Sequence, residues 1–112
     1  MLGGTTQACL PTKGGRVTCG CFDTDEWFNP GAPDEVMFGR PYDMPKLEKA
    51  AEMVFKQRTS IPLFLKRGSA EWEYIGNYRC IALLRDPALL EEKMKAHPKR
   101  GKITGILRFE KA

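Results

Sequence analysis

Trp72-Glu73-Tyr74-Ile75-Gly76-Asn77-Tyr78-Arg79-Cys80, continued by Ile81-Ala82-Leu83-Leu84-Arg85, is too long and too rich in aromatic and branched side chains to be a loop. It reads as the central strand of a sheet. Side chains of an extended chain alternate between two faces, so Trp72, Tyr74, Tyr78, Cys80, Ala82 and Leu84 fall on one face in an unbroken strand. Glu73, Ile75, Asn77, Arg79, Ile81 and Leu83 fall on the other. Gly76 interrupts the aromatic row and marks a candidate bulge. A row of rings edged by Asn77 and Arg79 can serve either a core or a ligand surface.

The surrounding pattern predicts β-β-α-β-β-α-β. Residues 1–15, rich in Gly, Thr and Pro and closed by Gly14-Gly15, read as a flexible lead-in, leaving 16–112 as a single α+β domain. Arg16 to Phe22 alternates as a first strand, with Val17, Cys19 and Cys21 on one side. Asp23 to Pro33 is a proline-interrupted loop that holds Trp27 and Phe28, either to pin the loop or to meet a ligand. Glu35 to Phe38 is a short strand. Leu47, Ala50, Ala51 and Val54 then form the stripe of an amphipathic helix over 45–57, capped by Asp43 or Met44. Ile61 to Arg67 and the Trp72 stretch form a hairpin across Gly68-Ser69-Ala70, which brings Lys66 and Arg67 beside Trp72. Asp86-Pro87 opens a second helix and His97-Pro98 closes it. In the last strand Ile103, Gly105, Leu107 and Phe109 alternate with Thr104, Ile106, Arg108 and Glu110.

Charge divides the chain. Residues 1–56 carry six Lys/Arg against eight Asp/Glu, whereas 57–112 carry twelve against six, a net of +6 in the second half. Such asymmetry favours a polyanion, nucleic acid above all; solvated faces of an ordinary basic protein give the same count. Catalytic signatures are missing: no phosphate-binding loop, no dinucleotide fingerprint, no zinc-protease motif and one histidine, His97. Cys9, Cys19, Cys21 and Cys80 would form a zinc site only if Cys9 and Cys80 converged on the close C-x-C pair, so neither metal nor cofactor is expected. No run is long enough to span a membrane and the N-terminus lacks a secretory pattern, so an intracellular location is expected, nuclear in a eukaryote. The blunt ends suggest a module within a larger parent protein or beside an effector domain.

The segment Trp72-x-Tyr74-x-Gly76-x-Tyr78 resembles the aromatic strand of the PUA-like modified-base readers, which include SRA, EVE and ASCH domains. Asn29-Pro30-Gly31-Ala32-Pro33, Ile61 to Arg67, Asp86-Pro87 and Ile103-Thr104 are also similar to an uncharacterised module of fungal and bacterial restriction-like proteins, over about residues 16–110. The PUA-like resemblance implies a small curved mixed sheet or partly open β-barrel with two flanking helices. It also implies a base held between aromatic walls. Tyr74 and Tyr78 would be those walls, Asn77 and Arg79 would meet a base edge or phosphate, and Trp27 or Phe28 would supply a lid. With Trp72, Lys66 and Arg67 as rim, the expected function is a non-catalytic module reading modified bases, in DNA rather than RNA. The alternative is a protein-interaction module anchored by exposed Trp27, Phe28 and Trp72.

Overall fold

The computed structural model describes residues 8–24, 29–40, 45–68, 71–97 and 102–112. Its strands are β1 (Ala8–Cys9), β2 (Thr12–Lys13), β3 (Arg16–Val17), β4 (Gly20–Asp23), β5 (Val36–Arg40), β6 (Ile61–Gly68), β7 (Glu71–Leu84) and β8 (Lys102–Lys111). Helices α1 (Pro45–Gln57) and α2 (Pro87–Ala96) fall between β5 and β6 and between β7 and β8. Six strands form a mixed sheet in the order β1-β4-β6-β7-β8-β5, in which β4 and β6 are parallel and every other pair is antiparallel. Among the described residues β1 and β5 are free edges, so the α+β expectation holds but the sheet does not close into a barrel.

Each helix takes one face of the sheet. The α1 stripe of Leu47, Ala50, Ala51 and Val54 is buried against Phe22, Val36, Phe38, Ile61, Leu63, Leu65, Leu107 and Phe109. Leu90 of α2 joins Met37, Ile103 and Ile106 in a smaller cluster on the opposite face, with Leu84 and Met94 packed against it. Val36 and Phe38 alternate with Met37 along β5, which is why one short strand feeds both cores.

The chain enters the fold earlier than the lead-in expectation allowed. Ala8 and Cys9 pair with Phe22 and Cys21, and Leu10 is buried in the larger core. The expected Arg16–Phe22 strand is two strands. Gly14 and Gly15, with φ of +61° and +76°, turn β2 back on β3, and the left-handed conformation needed at both suits glycine. Gln57 of α1 then clamps Val17 from both sides, its Oε1 accepting from the Val17 N–H (2.9 Å) and its Nε2 donating to the Val17 carbonyl (3.1 Å). After this break Phe22, not Cys21, faces the α1-side core, and Cys21 is buried on the other face.

α2 starts where the Asp86 signal places it. The Asp86 carboxylate accepts from the Leu89 N–H at 3.0 Å and Pro87 opens the first turn. Asp86→Ala is expected to cost about 1 kcal/mol, with Asp86→Asn close to neutral, read as shifts in the urea midpoint. The Asp43 or Met44 cap assigned to α1 lies outside the described residues.

Bulges decide which side chains share a face. In β7, Gly76 lies opposite Leu63 and Tyr74 opposite Phe64, leaving Ile75 as an extra residue; the expected bulge is there, with Gly76 at φ +116°. A second extra residue, Ile81, separates Cys80 (opposite Phe109) from Ala82 (opposite Arg108). A third, Thr104, separates the Phe38–Gly105 and Gly39–Ile103 pairs. Each bulge flips the parity of the residues beyond it. Ile103 therefore joins Ile106 in the α2 cluster while Leu107 and Phe109 stay in the α1 cluster, unlike the simple alternation expected for β8.

Candidate functional site

The bulge at Ile75–Gly76 splits the aromatic row. Tyr78 lies opposite Ile61 and packs against the α1-side core, as do Ile75, Cys80 and Leu83. Tyr74 lies opposite Phe64, which alternates with the buried Leu63 and Leu65 and so faces away from α1. The two tyrosines expected to wall one pocket stand on opposite faces of β7. Equal spacing to a pocket requires an unbroken strand, and the extra residue removes it.

On the face away from α1, Phe64 and Tyr74 are tilted at 47° with ring centroids 5.5 Å apart. Tyr74 is 54% exposed, the most exposed large apolar side chain described. Trp72, half-buried, lies across from Lys66 at the hairpin end. Pro62 and Asn77 pair at the other end, and the Tyr74 hydroxyl donates to Asn77 Oδ1 at 2.9 Å. Arg79 is exposed across from Glu110 and has no ion-pair partner among the described residues. On the β4 side the platform is bounded by Cys21, which is fully buried opposite Phe64.

The basic rim is less free than its sequence suggests. Lys66 Nζ lies 3.9 Å from Asp23 Oδ2, and Arg67 Nε donates to Glu73 Oε1 at 2.7 Å. Lys66 shares the Trp72 face; Arg67 is half exposed beside Glu73 at the hairpin end. The exposed Arg67–Glu73 pair contributes about 0–1 kcal/mol, so a phosphate can exchange with that carboxylate at little cost, whereas Lys66 and Asp23 are largely covered. Trp27 and Phe28 lie outside the described residues. Lys66, Trp72, Tyr74, Asn77 and Arg79 are thus brought to one face; Tyr78 is not.

Phe64 was not singled out as a site residue, although its strand carried the signal. Ile61 to Leu65 is apolar at every position, so one of its faces must meet something other than the α1 core. Asn29, named above only as part of the Asn29–Pro33 segment, has a structural role that its sequence did not show. It is fully buried, and its Oδ1 accepts the Met37 N–H at 2.6 Å while Nδ2 has no partner among the described residues, making it a brace between the Pro30–Pro33 loop and β5.

Burial pushes the Cys80 thiol up to about 11, where the reactive thiolate is scarce at neutral pH. Among the described residues no group of three or more His, Cys, Asp and Glu side chains is placed to hold a metal ion, and no helix is long and apolar enough to cross a membrane. No protein-family model, curated protein or solved structure matches the chain.

Proposed function

We propose that the domain is a nucleic-acid-binding module, non-catalytic by itself, that receives unstacked bases on the Phe64–Tyr74–Trp72 face and targets a larger parent protein to DNA. The observation that carries this reading is Tyr74: one side of its ring is supported by Phe64, more than half of it is exposed, and Arg79 and Lys66 stand on the same face. Aromatic platforms stack any base at about 1–3 kcal/mol each, while cations track the phosphates. The +6 balance of residues 57–112 supplies the long-range attraction. A modified base turned out of a duplex would use Tyr74 as one wall, with Asn77 and Arg79 at its edge.

Fluorescence anisotropy at two salt concentrations tests the reading, with single strands and with duplexes carrying plain cytosine, methylcytosine, hydroxymethylcytosine and methyladenine. Expected is binding to single strands, with log affinity falling against log salt at a slope of about −1.4 to −2.1, as two or three phosphate contacts give. Tighter binding to one modified duplex at both salts adds the modified-base function. Absence of binding to every probe at low salt overturns the proposal in favour of a protein-interaction surface.

A further inference from the structure

We infer that this platform discriminates among bases, favouring thymine and guanine over adenine, because Asn77 is held as a hydrogen-bond donor beside the Tyr74 ring. The inference rests on the nucleic-acid reading above and names the class of strand it selects.

A side-chain amide can offer a base either its carbonyl or its NH2 group, and an amide free to rotate discriminates poorly. Asn77 is not free: the Tyr74 hydroxyl donates to its Oδ1 at 2.9 Å. A phenol is a good donor and a poor acceptor, since its lone pair is shared with the ring, so the carbonyl is the end that faces it. That leaves the two Nδ2 hydrogens and a single Oδ1 lone pair for whatever stacks on Tyr74, so donors predominate. Asn77 is exposed, and its backbone carbonyl, which accepts from Ala112 N–H at 3.0 Å, fixes the strand beneath it.

Arg79, two residues along on the same face, adds a guanidinium with donors only. Two carboxylates lie nearby: Asp23 is engaged with Lys66, and Glu110 is the exposed cross-strand neighbour of Arg79. Along Asn77 and Arg79 the edge of the platform therefore presents more donors than acceptors. Guanine offers O6 and N7 to such an edge and thymine offers O4, whereas every acceptor of adenine on that side is flanked by its amino donor.

The test compares oligo(dT) with oligo(dA) 12-mers by anisotropy, for the wild type, Asn77→Ala, Asn77→Asp and Tyr74→Phe. Adenine strands also stack on themselves, so the informative quantity is the change in the dT/dA affinity ratio between proteins. A wild-type preference for dT of about tenfold is expected, falling to threefold or less in Asn77→Ala and inverting in Asn77→Asp, which exchanges a donor for an acceptor. Tyr74→Phe keeps the stacking ring but releases the amide, so affinity should persist while the ratio falls. A ratio unchanged across all four proteins overturns the inference and leaves the nucleic-acid reading standing. Failure of the wild type to bind either strand overturns both.

Discussion

Gly39→Ala is expected to lower the unfolding free energy by about 3 kcal/mol, which is a large share of the roughly 5–15 kcal/mol that holds a domain of this kind. Gly39 sits where β5 passes the Thr104 bulge of β8. A Cβ there would run into the Lys102 carbonyl oxygen and lie 2.9 Å from Ile103 Cα. Both are backbone atoms of the paired strand, so the methyl group cannot be accommodated by a rotamer change. Strand β5 must move away, which separates Val36 and Phe38 from one core and Met37 from the other. Gly31→Ala is the control: its nearest neighbours to a new Cβ begin at 3.5 Å, ordinary contact, and a change within about 0.5 kcal/mol is expected. Urea unfolding followed by Trp fluorescence compares the two. Equal midpoints would mean that β5 does not approach β8 this closely.

The contrast between these glycines bears on what a sequence can reveal. Helix α1 was legible because a repeat of Leu47, Ala50, Ala51 and Val54 admits one buried face, and those four are the buried ones. Asp86-Pro87 and His97 bracketed α2 because capping is local chemistry: a carboxylate reaching its own helix start, and the His97 N–H bonded to the Lys93 carbonyl at 3.0 Å. The Gly76 bulge was legible through the glycine. The bulges at Ile81 and Thr104 were not, because neither position carries a residue that requires one. They arise from the fit of β7 and β8 to partners distant in sequence. Since each reverses the faces beyond it, a reading that found the right strand still assigned several side chains to the wrong side.

The same limit applies to the charged rim. Lys66 and Arg67 were correctly brought beside Trp72 by the hairpin, but the carboxylates that meet them could not be foreseen equally. Glu73 is six residues from Arg67 on the next strand of the hairpin, within reach of a hairpin argument. Asp23 reaches Lys66 only because β4 runs parallel to β6, and a parallel pairing across a helical crossover leaves no local mark.

Tyr74→Ala and Tyr78→Ala should separate binding from folding, and the sorting is the opposite of what one shared pocket would give. Tyr74 contributes a tilted ring contact with Phe64 but is more than half exposed, so its loss should cost stability about 0.5–1 kcal/mol. Its loss should also weaken single-strand binding by tenfold or more, the equivalent of about 1.4 kcal/mol or greater from one stacked base. Tyr78 packs against the larger core beside Ile61, so its truncation leaves a cavity and should cost about 2–3 kcal/mol. Affinity measured on the folded fraction of Tyr78→Ala should be unchanged within about twofold, because Tyr78 does not share the platform. Urea midpoints and anisotropy on the same preparations read both quantities. If Tyr78→Ala abolishes binding in protein that remains folded while Tyr74→Ala leaves it intact, the ligand approaches from the α1 face. The Phe64–Tyr74–Trp72 surface would then be a rim of the fold and not its recognition site.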